Sequence, residues 1–167
     1  MCSELAWHGI EVVLSVGAVV SIYSANAYES YDLDFIHTGI AKKTDPVMTA
    51  LGFAREGRHW RHLDHRYLVE FPPGPVEVGG EIVTEFATRT TSTGVLRLLA
   101  PTECAMDRLA AYFHFNDPQG LEQAVQVATR NEVDLASIAR WARRQGASAK
   151  HREFETRVAS GRRRGRG

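Results

Sequence analysis

The chain has 167 residues, of which 44% are apolar and 24% charged, so it can bury one sizeable hydrophobic core. Lysine and arginine balance aspartate and glutamate at 20 each, so no overall electric field draws the protein to nucleic acid. The two cysteines, Cys2 and Cys104, are too few for a disulfide framework and fit a reducing compartment, so we expect a cytoplasmic protein.

The first apolar run, from Val12 to Ile22, resembles the core of a signal peptide, and Ala25-Asn26-Ala27 after it resembles a cleavage site. A signal peptide begins with positive charge, but the first lysine or arginine of this chain is Lys42. The run is also too short to cross a bilayer. We therefore expect neither secretion nor a membrane partner.

The residues from Val12 to Gly17 form an apolar, β-branched run that ends in glycine, which predicts a buried strand. The segment from Ala18 to Ser24 can continue as a helix packed on the sheet. Gly17 would let backbone N–H groups at the start of that helix approach a phosphate closely.

Tyr31-Asp32-Leu33-Asp34-Phe35 places two carboxylates one residue apart in an apolar run. Side chains alternate across a strand, so Asp32 and Asp34 would share one face. Two buried like charges are costly unless a cation lies between them, and Mg²⁺ with a nucleotide phosphate is the usual occupant. The alternative is a strand end whose acids face solvent.

The middle of the chain is expected to alternate short elements. Asp45-Pro46 is a good N-cap and first-turn pair for a helix from Val47 to Leu51. The predicted strands are Phe53 to Ala54, Trp60 to His62, Tyr67 to Phe71, Ile82 to Thr88 and Val95 to Leu99.

A separate group of His59, His62, Asp64 and His65 has the ligand types that bind Zn²⁺ or Ni²⁺. However, His59 and His62 fall on opposite faces of a strand. The sequence favours titratable surface histidines over a dedicated metal site.

After Pro101 the chain becomes helical. Thr102 is the expected N-cap of the first helix, Asp117-Pro118 begins the second, and Asp134 caps a third from Leu135 to Arg144. We expect an α/β core over residues 1–100, a helical region packed on it over 101–159, and a disordered basic tail over 160–167. The tail arginines can attract RNA, but more often such a run is only solvated.

A strand, a glycine turn, a helix and a strand with D-x-D open the nucleotidyltransferase fold that DNA polymerase β shares. Together with five further blocks, this pattern resembles the small bacterial nucleotidyltransferase-like proteins related to abortive-infection toxins, over about residues 9–145. The five blocks, in matching order, are Val69 to Pro75, Pro101 to Cys104, Asp107 to Tyr112, His114 to Asp117 and Leu121 to Ala124.

The resemblance implies an α+β fold, with a nucleotidyltransferase-like mixed β-sheet, flanking helices and a C-terminal helical bundle. It implies transfer of a nucleoside monophosphate from an NTP to a hydroxyl on RNA, protein or a small molecule, with Mg²⁺ or Mn²⁺ as cofactor. Asp32 and Asp34 are then the metal ligands, and Glu70, on an adjacent strand, is the third acid, as ligand or base. An edge-strand acid facing water is the alternative for Glu70.

The remaining roles that the resemblance implies concern the nucleotide. Gly17, Ala18, Arg108 and Tyr112 would bind it. An ion pair of Arg108 with Asp107 or Glu103 is the alternative, since buried arginine is usually paired. The supporting residues at the helix junction, which can hold Arg108 and the base or merely cap and cross-link two helices, are Asp107, His114, Asn116 and Asp117.

Two departures bear on activity. Active family members typically carry Gly-Gly or Gly-Ser where this chain has Val16-Gly17-Ala18, and a larger residue, Tyr31, precedes Asp32. The second hypothesis is therefore a catalytically impaired nucleotidyltransferase-fold protein that acts as a binding partner in a toxin–antitoxin or phage-defence system. The third is an α/β interaction domain with incidental acids.

Overall fold

A computed structural model describes residues 1–38 and 43–164. The helices of the described residues are α1 (Cys2–Trp7), α2 (Val16–Tyr23), α3 (Asp45–Ala50), α4 (Pro101–Phe115), α5 (Pro118–Arg130), α6 (Leu135–Arg144) and α7 (Ser148–Arg164). The strands are β1 (Val12–Ser15), β2 (Asp32–His37), β3 (Phe53–Glu56), β4 (His59–His62), β5 (Leu68–Glu70), β6 (Glu77–Val78), β7 (Glu81–Ile82), β8 (Ala87–Thr91) and β9 (Gly94–Leu98). The chain is an α+β protein, as its sequence predicts.

The chain divides into two compact units. The first comprises Met1–Val19, Glu29–Glu77 and Ile82–Leu99, and the second comprises Val20–Tyr28, Val78–Glu81 and Ala100–Gly167. Two segments expected in the α/β core, 20–28 and 78–81, therefore group with the C-terminal helices, and the division falls within α2.

The first unit is built on a seven-stranded mixed sheet with the strand order β3-β4-β5-β2-β1-β9-β8. Strand β2 runs antiparallel to β1 on one side and parallel to β5 on the other. All four residues of β1 are buried, because this central strand is covered on both faces. Alternation in β2 buries Phe35 and leaves Asp32 exposed, which places the acids where they can meet a ligand.

The second unit contains α4 to α7, whose buried apolar side chains include Leu109, Leu121, Trp141 and Phe154. The Trp141 and Phe113 rings stack with centroids 5.5 Å apart. Two predicted caps are confirmed, since Asp117 accepts from the Gln119 N–H and Asp134 accepts from the Ser137 N–H.

Lys150, in the first turn of α7, joins that helix to the end of α4. Its Nζ donates to the carbonyl oxygens of Tyr112 and Phe113, at 2.8 and 2.6 Å. It also donates to Asn116 Oδ1 at 2.6 Å. The ammonium therefore satisfies carbonyls that have no partner within α4 and complements the negative end of the helix dipole.

Helix α7 corrects the expectation of a disordered tail over 160–167. The helix continues to Arg164, and residues 165–167 lie outside the described residues. Its apolar positions at Phe154 and Val158 are four apart and both buried, so they form one packed stripe. Near its end, Arg162 donates to the Ala128 carbonyl of α5 at 2.9 Å from Nη2.

Four boundaries also differ from expectation. The strand expected over 12–17 ends at Ser15, and α2 begins at Val16, so Gly17 lies within the helix and does not form a turn before it. Ala100, not Thr102, is the N-cap of α4, and Pro101 begins the helix; Thr102 Oγ1 instead accepts from the Asp134 N–H. Thr44, not Asp45, is the N-cap of α3. The strand expected from 82 to 88 is interrupted, because β7 ends at Ile82 and β8 begins at Ala87.

Within residues 1–38 and 43–164, none of the helices combines the length and the apolar character that crossing a bilayer requires.

Candidate functional site

One row of side chains crosses the sheet of the first unit and carries the candidate chemistry. The register pairs Ser15 with Asp34, Asp34 with Glu70, and Glu70 with His59. Directly paired residues project from the same face of a sheet, so these four side chains are neighbours. Asp32 lies two residues from Asp34 and therefore on that face as well. The arrangement brings the three predicted acids to one side of the sheet.

The electrostatics of Asp34 reflect this crowding. Burial raises the pKa of the Asp34 carboxyl, and the Glu70 and Asp32 carboxylates raise this pKa further, while Arg58 and His59 oppose them. The carboxyl is about half-buried, and the adjacent Ser15 side chain is 2% exposed. The site therefore favours the arrival of positive charge, because a cation would relieve both the repulsion and the desolvation.

Glu70 is in contact with two side chains from the preceding hairpin, Arg58 and His59. Its Oε1 lies 2.6 Å from Arg58 Nε and 2.7 Å from His59 Nδ1. Neither Glu70 Oε1 nor His59 Nδ1 has a hydrogen-bond partner of good geometry among the described residues, so the contact of Glu70 with the Arg58 guanidinium is an ion pair without a directional hydrogen bond. The Glu70 side chain is 16% exposed, so the interpretation of an acid facing water is wrong.

The start of α2 is a strained backbone position. Val16 has φ 56°, in the left-handed region, and it connects β1 directly to the helix. For a β-branched residue this conformation costs about 1–3 kcal/mol and persists only where the surroundings enforce it. Ala18 is buried at 4% exposure, so its backbone N–H, and not its methyl group, is what it can offer a ligand.

We expect the strain at Val16 to reverse the usual ranking of alanine and glycine. Val16→Gly should be more stable than Val16→Ala by about 1 kcal/mol, because glycine adopts a positive φ without a Cβ clash. Thermal melts of both variants measure this, and about 2–4 °C separates them. In the exposed helical position Ala159, glycine should instead lower stability by about 0.5–1 kcal/mol. Equal melting temperatures for the two Val16 variants would contradict a strained turn.

Arg108, the predicted nucleotide-binding arginine, belongs to the second unit and is engaged by its neighbour. Its guanidinium Nε donates to Asp107 Oδ2 at 2.9 Å, and its Nη2 contacts the same oxygen. Both side chains are mostly buried, with 16% and 20% exposed. The interpretation of Arg108 as paired with Asp107 is therefore correct.

The other predicted residues of the second unit cross-link its helices. Tyr112 O–H donates to Glu153 Oε2 at 2.6 Å, and His114 Nε2 lies 2.9 Å from Gln145 Oε1. Asn116, with φ 54°, ends α4 in the left-handed conformation. Asp117 caps α5, as described above. Capping and cross-linking are thus the roles that their contacts give these side chains.

The group of His59, His62, Asp64 and His65 does not assemble as a metal site. His62 Nδ1 accepts from the Asp64 N–H at 3.1 Å, which occupies the nitrogen that faces Asp64. Within the described parts of the chain, no three His, Cys, Asp or Glu side chains are grouped to hold a metal ion. His65 is exposed, and the His59 and His62 side chains are partly exposed, at 32% and 20%.

Arg58 and His59 are the site residues that sequence reasoning missed. His59 was associated with its histidine neighbours in sequence, whereas its contact partner is Glu70, on the next strand. Strand alternation does separate His59 from His62. The pairing of β4 with β5, which depends on the loop from 63 to 67, is what places His59 beside the acids.

Comparisons of the chain with protein-family models, with curated proteins and with solved structures find no match.

Proposed function

We propose that this protein is a Mg²⁺-dependent nucleotidyltransferase, which moves a nucleoside monophosphate from an NTP to a hydroxyl on RNA, protein or a small molecule. The observation that carries the proposal is the pairing of Asp34 with Glu70 on parallel neighbouring strands, with Asp32 on the same face. The order of buried strand β1, helix α2 and acidic strand β2 supports a nucleotidyltransferase-like fold, and the C-terminal helices would form its helical bundle.

The donor set fits Mg²⁺ in part. Mg²⁺ prefers oxygen ligands and is usually held by one or two carboxylates together with waters and substrate phosphates. Asp32 and Asp34 meet that requirement. The raised pKa of Asp34, caused by burial and by the two nearby carboxylates, supports a site that gains from a cation. Glu70 is turned toward Arg58 and His59 and would not be needed as a ligand.

Mg²⁺, when bound, supplies neutralisation of the attacking and leaving oxygens. Asp32 and Asp34 would hold it, and backbone N–H groups in the first turn of α2 would orient the phosphates. The acceptor hydroxyl attacks the α-phosphorus in line, the bond to the β-phosphate oxygen breaks, and pyrophosphate leaves. Glu70 takes the proton of the attacking hydroxyl.

The test is incorporation of label from α-labelled NTPs into total RNA, total protein and small hydroxyl compounds. We expect Mg²⁺-dependent incorporation that disappears in Asp32→Ala without loss of folding. The matched control is Asp64→Ala, an acid whose side chain is 82% exposed and which lies outside the row. Incorporation that survives in Asp32→Ala, or none with any NTP and acceptor, would count against the proposal.

The catalytically impaired binding protein is the second candidate, and the left-handed Val16 favours it. A branched side chain at the first residue of α2 would narrow the space that a phosphate uses. This candidate predicts a rise in melting temperature with NTP and Mg²⁺, since a ligand of the native state stabilises it, but no turnover.

A further inference from the structure

We propose that the adjoining C-terminal ends of α5 and α7 form a surface that binds the phosphate backbone of nucleic acid, without regard to base sequence. This surface, which we name the basic end, consists of four exposed arginines, Arg130, Arg162, Arg163 and Arg164. It lies wholly within the second unit, and it does not depend on the proposed function.

The direction of the two helices brings the arginines together. Arg157 Nη1 lies 3.8 Å from Glu122 Oε2, near the start of α5. Five residues further along α7, Arg162 Nη2 donates to the Ala128 carbonyl, near the end of α5, at 2.9 Å. The two helices therefore run in the same direction, and Arg130, the last residue of α5, shares one surface with the last turn of α7.

The last turns of α5 and α7 are in direct contact. A Cβ on Gly161 would lie 2.7 Å from Thr129 Cγ2, so this position of α7 has no room for a side chain. Arg162 Nε and Nη2 both donate to the Ala128 carbonyl, at 3.3 and 2.9 Å. The arginines of the basic end are therefore carried by packed helices and have defined positions.

Neighbouring acids and helix dipoles balance only part of this charge. On the same two helices, Glu122 and Glu153 already pair with Arg157. Glu132 is the nearest carboxylate in sequence, two residues after Arg130. Each helix C-terminus carries about half a negative elementary charge, so two termini and Glu132 offset about two of the four positive charges. The remaining positive charge exceeds what the helix ends require.

The equal numbers of basic and acidic residues in the whole chain, 20 of each, do not argue against this surface. Basic residues are in excess in the second unit, and acidic residues are in excess in the first. Exposed charges are screened over about 8–10 Å, so the local charge decides what binds.

A nucleic-acid backbone fits the basic end better than a membrane does. In the described part of α7 after Phe154, Val158 is the one apolar side chain larger than alanine, and it is buried. No exposed apolar group therefore accompanies the arginines to enter a lipid layer. Arginine binds phosphate in bidentate fashion, and the closely spaced phosphates of one strand can meet several arginines at once.

The test is the binding of fluorescein-labelled oligouridine and oligothymidine, each of about 12 nucleotides, measured by fluorescence anisotropy from about 50 to 200 mM salt. We expect both to bind. The logarithm of the association constant should fall with the logarithm of salt concentration with a slope on the order of −3, because each phosphate contact to a single strand contributes about −0.7.

The triple variant Arg130→Ala/Arg163→Ala/Arg164→Ala keeps Arg162 and its carbonyl bond. We expect its salt slope to be less steep by about 2 and its affinity at the lowest salt to fall about tenfold or more. Replacement of the same three arginines by lysine keeps the charge and should retain the affinity within about threefold.

The matched control removes three arginines of the same unit that pair with carboxylates. Arg140→Ala/Arg144→Ala/Arg157→Ala should change the slope by less than about 0.5. Circular dichroism checks the folding of every variant. If the alanine variant of the basic end does not fold, Arg163→Ala/Arg164→Ala, in the last turn of α7, should still reduce the slope by about 1.

No binding at about 50 mM salt, or a slope that the folded alanine variant leaves unchanged, would overturn the proposal. Binding to only one of the two oligonucleotides would reject recognition through their shared phosphates. Binding to vesicles of phosphatidylserine and phosphatidylcholine, with none to either oligonucleotide, would assign the surface to membranes instead. The assay needs neither NTP nor metal ion, so an inactive protein that binds both oligonucleotides would retain the basic end and reject catalysis.

Discussion

Replacing Asp34 with asparagine is expected to abolish nucleotidyl transfer and, at the same time, to raise the melting temperature of the metal-free protein at neutral pH. Under the proposed function Asp34 is a metal ligand, and loss of a carboxylate ligand removes several kcal/mol of transition-state stabilisation, so we expect activity to fall on the order of 10³-fold. The size of the side chain is nearly unchanged, and the strand hydrogen bonds of β2 do not involve it.

The gain in stability follows from the pKa of Asp34. Burial, followed by Glu70 and Asp32, raises this pKa in the folded protein above its ordinary value of 3.8. Between the ordinary and the raised value the folded state binds more protons than the unfolded state, so stability decreases as pH rises through that window. At neutral pH the ionised Asp34 is therefore destabilising, and a neutral amide relieves this cost.

Melting curves of wild type and Asp34→Asn at pH 7.5 and pH 3.5 provide the measurement. At pH 7.5 we expect the melting temperature of the variant to exceed that of wild type by on the order of 2 °C. At the lower pH the difference should shrink, because the wild-type carboxyl is itself protonated in both states. Saturating Mg²⁺ and NTP should raise the melting temperature of wild type more than that of the variant. A variant that is less stable than wild type at pH 7.5 would contradict the repulsion.

Replacing Phe154 with alanine is expected to cause the largest loss of stability. Phe154 lies in α7, is 0% exposed and contacts the His151 ring, with centroids 6.0 Å apart. Truncation of a buried phenylalanine costs about 3–5 kcal/mol, from lost burial and from the cavity that remains. In a protein of this size that corresponds to a fall of roughly 6–20 °C in melting temperature.

Thermal or urea unfolding monitored by circular dichroism checks this expectation. The matched control is Thr156→Ala, two residues along the same helix and exposed, which should change stability by less than about 0.5 kcal/mol. If Phe154→Ala behaved like the control, α7 would not be part of the packed core of the second unit.

Local signals explain what could be predicted from the sequence. The Asp117-Pro118 and Asp134 caps fixed two helix starts, because a cap needs only a side chain and a backbone N–H a few residues away. The buried strand β1 and the acidic strand β2 were also recognisable, since their patterns lie within single short segments.

The missed elements depend on contacts between distant residues. The arginines at 162 to 164 suggested a solvated tail. Helix α7 is instead stabilised by the burial of Phe154 and Val158 within the second unit, and Arg162 donates to a carbonyl near the end of α5. Charge composition alone does not record such packing. The observed start of α4 differs from the predicted one for another reason, since Ala100, with an extended backbone, serves as N-cap before Pro101.

The candidate site divides in the same way. Asp32 and Asp34 were predicted from spacing, and the sharing of a face with Glu70 agrees with that prediction in its geometry. The partners of Glu70 and the left-handed conformation of Val16 could not be predicted from the sequence, because strand register and backbone strain are set by the whole sheet.

The parallel pairing of β2 with β5 has a consequence for folding kinetics. Parallel neighbours need a long crossover, and loop closure over such a distance is slow compared with formation of a hairpin. The pairing of β4 with β5 is antiparallel and local in sequence, so we expect this hairpin, with Glu70 beside Arg58 and His59, to form before β5 docks beside β2.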